Sequence, residues 1–233
     1  MKWEELTEFE FKKLKFKRAF FPVGTIESHG IGLLGTDCFA PYYLSLDLAK
    51  EFKAVVLPLQ YYGITSGLFG RVGSVTLSSE TFENLIYEII ISLHKNRIEE
   101  LFIINGHGGQ IDELRNASKY AHQDTGMKIC VINWWIPVRE ISEKYFGDMT
   151  GHGGAEEIAI VYAKKPYKID FKNARGFSKL DGLSLYPYPY GMLLYKGGKI
   201  KKGFEKLSKK YYRDVLNYLK DLIKEIIEGW EKT

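Results

Sequence analysis

Residues 101–109 read Leu101-Phe-Ile-Ile-Asn-Gly-His-Gly-Gly109. An unbroken apolar run that enters a glycine loop describes a strand covered on both faces, as in the interior of a parallel sheet. Working outward, Asp112 to Asp124 predicts a helix, and Lys128-Ile-Cys-Val-Ile-Asn-Trp-Trp135 predicts the next strand. Upstream, Arg18-Ala-Phe-Phe-Pro-Val-Gly-Thr25 reads as a first strand, followed by a helix from Cys38 to Phe52 and a buried strand over Lys53-Ala-Val-Val-Leu-Pro-Leu59. A short β-like Val75-Thr-Leu77 precedes a helix that begins near Ser78 and carries Phe82, Leu85, Ile86, Ile89, Ile90 and Leu93 on one face. Ser79 and Phe82 do not make a capping box, so that helix rests on periodicity. Gly154 to Lys164 predicts another helix, and Phe204 to Lys232 a last, amphipathic one. Alternating strand, loop and helix predict an α/β protein with a mostly parallel central sheet. Residues 165–203, rich in Pro, Tyr, Gly and Lys, read as an ordered excursion within a single domain spanning 1–233.

Composition narrows the function classes. With 45% hydrophobic and 27% charged residues, 16 Tyr and 14 Phe, the chain has the makings of a full core. A net charge of +4, from 33 basic and 29 acidic groups, supplies no broad electrostatic footprint, so no nucleic-acid partner is expected. No apolar run reaches the roughly 18–20 residues of a membrane span, and the start of the chain has no signal-peptide pattern, so no membrane partner is expected. Two cysteines, Cys38 and Cys130, suit a reducing compartment, and the expected location is cytoplasmic. Neither the dinucleotide fingerprint nor a P-loop is present, although the glycine loops invite that reading.

Three of the five histidines, His29, His107 and His152, stand directly before glycine in loops that follow strands or precede a helix. Ligands of α/β sheets gather at such strand ends. Glu27 and His29, two apart in extended chain, project to one side. Asp37 follows across a glycine-rich loop, and His107 leaves the neighbouring strand. This mixed nitrogen and oxygen set suits Zn, Mn or Fe, and an aspartate can bridge a pair of such ions. His152 titrates in the range useful for relaying a proton. His94 and His122 fall on predicted helices and are expected at the surface. Trp134-Trp135 and Tyr61-Tyr62 end strands, where they either line a pocket for a planar substrate or pack in the core.

These residues carry a resemblance. Pro22-Val-Gly-Thr-Ile-Glu-Ser-His-Gly30 with Gly35-Thr-Asp37 resembles the opening block of the creatininase (creatinine amidohydrolase) family. Tyr62-Gly-Ile-Thr65 with Val72-Gly-Ser-Val-Thr-Leu-Ser-Ser-Glu-Thr81 resembles its second block, and Asn105-Gly-His-Gly-Gly-Gln110 its third. His152-Gly-Gly-Ala-Glu-Glu-Ile-Ala159 resembles its last. The blocks come in family order over about residues 20–160. The resemblance implies a three-layer α/β/α fold, a hydrolase with two divalent metal ions (Zn, Mn or Fe), a small-molecule cyclic amide or formamide substrate, and a homo-oligomer, often a hexamer. It places metal ligands at Glu27, His29, Asp37 and His107 and catalysis at His152. The matching Glu157 is implied as either a ligand or a support for one.

Four departures bear on this transfer. The family's second histidine of the opening block is Gly32 here, and that loop is one residue shorter. A glutamate that creatininase proper carries two residues after the glycine-loop histidine is Gly109, and the Thr-Ser of the last block is Ile158-Ala159. The tryptophan that stacks on creatinine has no evident counterpart. Creatinine is therefore not the expected substrate. Some relatives deformylate a pyrimidine nucleotide, for which Arg71 or the Lys-rich 196–202 stretch would have to meet a phosphate. Other readings are a metal-dependent hydrolase of a peptide or other carbonyl compound, and a catalytically reduced member that binds a ligand or acts through assembly.

Overall fold

A computed structural model describes residues 1–14, 17–170 and 203–232. Four strands form one parallel sheet: β1 (Arg18–Val23), β2 (Val55–Val56), β3 (Glu100–Asn105) and β4 (Lys128–Asn133), in the order β2-β1-β3-β4. β1 and β3 are buried beyond their first residues, as their unbroken apolar sequences require. Val23 pairs with Asn105 and Asn105 with Asn133, so three strands finish in register and open their following loops on one edge.

Successive residues of these strands feed two cores. Phe20, Phe102 and Ile104 face a layer that holds α2 (Thr36–Glu51), α5 (Arg139–Phe146), α6 (Ala155–Tyr162) and α7 (Phe204–Trp230). Ala19, Phe21, Val23, Leu101 and Ile103 face α3 (Ser79–Lys95) and α4 (Ile111–Thr125). A short α1 (Glu8–Lys12) lies ahead of β1, with Thr7 and Glu10 capping it reciprocally. The parallel α/β sheet is the one the alternation of elements predicts, and the three-layer α/β/α architecture is the one the resemblance implies. Among the described residues no helix is long and apolar enough to cross a membrane.

Several elements differ from the sequence reading for identifiable reasons. The strand expected over residues 53–59 contracts to Val55–Val56, since Pro58 has no N–H to give to a ladder. The chain still tracks β1 irregularly, with the Gln60 N–H donating to the Pro22 carbonyl at 3.0 Å. Val75 and Thr76 make only isolated bridges, to Ile26 and Gly63. The cap of α3 is Ser78, one residue ahead of Ser79, and its Oγ accepts from the Thr81 N–H at 3.2 Å. Helix α5 has no counterpart in the sequence reading: it carries four charges and buries only Ser142 and Phe146. Most of the excursion expected over 165–203 lies outside the described residues.

One contact between layers fixes the working edge of the sheet. The first turn of α2 rests on the strand ends at Gly24 and Gly106. A Cβ on Gly106 would stand 1.9 Å from the Asp37 carbonyl oxygen, and one on Gly24 would stand 2.4 Å from the same atom. Only glycine permits this approach. It delivers the Asp37 side chain over the carboxyl ends of β1 and β3. Gly106→Ala is therefore expected to push α2 off the sheet and to cost about 1–3 kcal/mol, the usual penalty of overpacking. Chemical denaturation of the variant beside the parent checks this; unchanged stability would contradict the contact.

Candidate metal centre

Beyond β1 the chain leaves the sheet but stays pinned. The Glu27 N–H donates to the Leu34 carbonyl at 3.0 Å, the Gly32 N–H to the His29 carbonyl at 2.8 Å, and the Val75 N–H to the Ile26 carbonyl at 2.9 Å. The shortened loop thus closes on itself, and the reach of Asp37 survives the missing residue. His29 Nε2 lies 2.8 Å from Asp37 Oδ1, with both side chains essentially inaccessible.

His107 enters from the third strand end. The Asn105 side chain holds its peptide from both sides, accepting from the His107 N–H at 3.1 Å and donating to the His107 carbonyl at 2.7 Å. Asn133 and Gln110 in turn fix the Asn105 amide, at 2.7 and 2.9 Å. So placed, His107 Nδ1 stands 2.8 Å from Asp37 Oδ2 and 3.2 Å from Glu27 Oε1. Neither oxygen makes a well-aligned hydrogen bond among the described residues. Two buried carboxylate oxygens converging on one imidazole nitrogen without such a bond make an arrangement that a cation satisfies.

The last contributors come from the start of α6. Glu157 Oε2 accepts from the Gly153 N–H at 2.7 Å and lies 3.7 Å from His29 Nε2. His152 Nε2 sits 2.9 Å from the Ser28 carbonyl, and its Nδ1 lies 3.3 Å from Glu27 Oε1. The two rings of His29 and His152 are 4.5 Å apart. Every residue singled out in the sequence (Glu27, His29, Asp37, His107, His152 and Glu157) therefore meets in one cluster.

Ligand atoms group into three sets: Glu27, Asp37 and His107; His29, Asp37 and Glu157; and Glu27, His29 and His152. The first two share only Asp37 and together use both its oxygens. The third would take one member from each of the others. Gly109, where creatininase proper has a glutamate, has no space for a side chain: a Cβ there would lie 2.5 Å from His107 Nε2 and 2.6 Å from the Ile64 carbonyl. Glu157 completes the second set instead.

Hydrogen bonds to carbonyls, which only accept, assign the tautomers. His29 Nδ1 lies 3.0 Å from the Glu27 carbonyl and carries a proton, leaving Nε2 to face Asp37 and Glu157. A backbone carbonyl that orients a ligating imidazole in this way is the usual support of a metal site. His152 Nε2–H donates to Ser28, which leaves the Nδ1 lone pair toward Glu27. Burial alone would lower the His29 pKa, but the Asp37 carboxylate outweighs it by charge and hydrogen bond, with Glu157 and Glu27 adding to it, and raises the pKa to about 10. His107 is likewise held well above 6.5 against its burial, by Glu27 and Asp37. His152 goes the other way: burial dominates and lowers its pKa. Burial, then the Asp37 charge, raises the Glu157 carboxyl well above the ordinary range.

Two supporting residues escaped the sequence reading. Thr65 Oγ1 donates to Glu27 Oε2, and Asn133 anchors the Asn105 network. Thr65 had a signal, since it closes the Tyr62-Gly-Ile-Thr65 block; Asn133 had only its place at a strand end. Trp134 is core, 1% exposed. Trp135 is partly buried beside Gly108, while Tyr61 and Tyr62 are exposed. His94 and His122 are exposed on their helices, as expected. The Lys-rich 196–202 stretch lies outside the described residues.

The family model described as "Creatininase: Creatinine amidohydrolase" matches residues 1–198. No curated protein matches the sequence. The fold is similar to the crystal structure of creatinine amidohydrolase (creatininase), with a TM-score of 0.83 and 18% identity over 96% of each chain. It is similar to a structure described as "Creatininase Mn", with a TM-score of 0.81 and 20% identity over 96% of this chain and 97% of that one. A mutant creatininase described as "Zn-Zn type" gives a TM-score of 0.82 and 20% identity, again over 96% and 97%.

The direction of the histidine shifts sets the pH dependence of metal uptake. His29 and His107 are protonated at neutral pH without metal, because their pKa values are raised. An imidazole must lose a proton to ligate, so metal uptake releases protons and tightens as pH rises. Titration of metal-free protein with ZnCl₂ or MnCl₂ in weak buffer is expected to acidify the solution, and affinity is expected to fall from pH 8 to pH 6. Uptake without proton release would contradict the assigned ligands.

Proposed function

The chain belongs to the creatininase family, and on that premise we propose that it is a metal-dependent amidohydrolase that cleaves a C–N bond in a cyclic amide or formamide small molecule. The observation that supports this most is the pair of ligand sets sharing Asp37 alone, whose nitrogen and oxygen donors would suit a pair of divalent ions of the Zn, Mn or Fe type. Such ions, when bound, supply Lewis acidity for water and for a carbonyl oxygen. Glu27 with His107 would hold one, His29 with Glu157 the other, and Asp37 would bridge them. The residue missing from the opening loop was the ground for reading a catalytically reduced member. Asp37 at 2.8 Å from His29 removes that ground.

His152 stands outside both sets with the properties of a proton carrier. Its ring is fixed at Nε2 by the Ser28 carbonyl, so Nδ1 accepts the proton. Its lowered pKa keeps it unprotonated at neutral pH and ready to accept. Once protonated, it lies 3.3 Å from the Glu27 carboxylate, which stabilises the imidazolium until the proton passes to the departing nitrogen. Trp135, partly buried beside Gly108, would supply a flat wall for a planar substrate.

A screen of cyclic ureas, lactams and formamides against the metal-loaded protein tests the substrate class, and turnover confined to peptides would overturn it. His152→Ala is expected to keep its metal and to lose about 10²–10⁴-fold in kcat. Metal analysis beside single-turnover kinetics checks this; full activity would remove His152 from proton transfer.

A further inference from the structure

We propose that Glu156, a neighbour of the metal-type cluster and not a member of it, is the positioning residue that holds the His152 turn in its working geometry. This rests on the role just given to His152.

His152 is carried on Gly151-His152-Gly153-Gly154, and the backbone on either side of it is left-handed, with φ of 128° at Gly151 and 63° at Gly153. Glycine enters that region at no steric cost and leaves it as readily. The Ser28 carbonyl holds the ring at Nε2, but the turn that carries His152 needs a hold of its own if the imidazole is to stay in register with that bond. Two adjacent carboxylates provide it. Glu156 Oε1 accepts from the Gly151 N–H at 2.6 Å, and Glu157 Oε2 accepts from the Gly153 N–H at 2.7 Å. One grips the peptide before His152 and the other the peptide after it. Within the turn, the Gly154 N–H closes onto the Gly151 carbonyl at 2.8 Å.

The two carboxylates are not equivalent. Glu157 also faces His29 and Asp37, so its charge is shared with the metal-type cluster. Glu156 is in none of the ligand sets, yet it is 5% exposed, and burying a carboxyl group is costly unless its bonds are needed. It also lies against Gly154, where a Cβ would stand 2.4 Å from Glu156 Oε2, so the carboxylate and the turn fit without space between them. A side chain that bonds the turn, packs against Gly154 and belongs to no ligand set is suited to fix the direction of His152 without holding a metal ion itself. A displacement of about 1 Å at a reacting group can cost on the order of 10²-fold in rate.

The test uses full-length, metal-loaded protein as the parent, E156L and E156Q. Glutamine keeps an acceptor oxygen for the Gly151 N–H, and leucine keeps only bulk. Three readouts are taken: metal content, kcat and KM on an amide that the parent hydrolyses, and the imidazole resonances of histidine-labelled protein, with His152 assigned by its loss in H152A. E156L is expected to keep parental metal content and KM, to lose about 10–100-fold in kcat, and to shift or broaden the His152 signal alone. E156Q is expected to restore both kcat and that signal. A parental His152 signal and kcat in E156L would overturn the proposal. So would loss of metal in E156L, or a folded E156Q that releases His152 as far as leucine does; if E156L does not fold, E156Q decides. A parent that hydrolyses no amide would count against the proposed function, while the imidazole spectrum would still decide the role of Glu156.

Discussion

The site depends on a backbone contact in which the Asp37 carbonyl lies against two glycines at the ends of β1 and β3. Glu27, His29 and His107 come from strand-end loops, which converge on their own in a parallel sheet, and Glu157 comes from the first turn of α6. Asp37 comes from the first turn of a helix in the covering layer. Unless that helix descends onto the strand ends, its carboxylate cannot stand between His29 and His107. Gly24 and Gly106 remove the side chains that would hold it off, and the packing of Leu44 and Leu48 against Phe20 and Phe102 presses it down. The hydrophobic core thus sets the position of the bridging ligand.

Once the groups are together, electrostatics constrains them severely. Glu27, Asp37 and Glu157 face His29, His107 and His152 across a few ångströms in a largely buried cluster. Buried carboxylates without compensating charge are not tolerated. Either protons on His29 and His107 or divalent cations between the groups supply it, which explains why the imidazoles that face Asp37 are raised, whereas burial outweighs the nearby charges at His152 and lowers it. The same contrast separates two kinds of histidine: His29 and His107, raised by facing carboxylates, and His152, lowered by burial, in keeping with the different roles proposed for them.

Much of this was legible in the sequence because it follows from local rules. Leu101–Ile104 could only be an interior strand, and histidines before glycine at strand ends marked the working edge of the sheet. What local rules miss is set by tertiary contact. Pro58 ended a strand that its apolar neighbours favoured. Helix α5 shows too little apolar surface to announce itself. The cap of α3 sat one residue ahead of the one considered. Thr65 and Asn133 act through partners 38 and 28 residues away, distances that no pattern in one sequence records. Glu157 reads as either ligand or support, and the sequence does not show that it stands 3.7 Å from His29 while residue 109 has no room for a carboxylate.

The central claim is that Asp37 sits between two ion positions, one completed by Glu27 and His107 and the other by His29 and Glu157. Anomalous diffraction from crystals of the full chain grown with Zn or Mn, measured at the absorption edge of the metal, tests it most directly. The account predicts a pair of anomalous peaks flanking the Asp37 carboxylate, with His152 bound to neither. A single peak held by Glu27, His29 and His152, or metal bound away from Asp37, would contradict it.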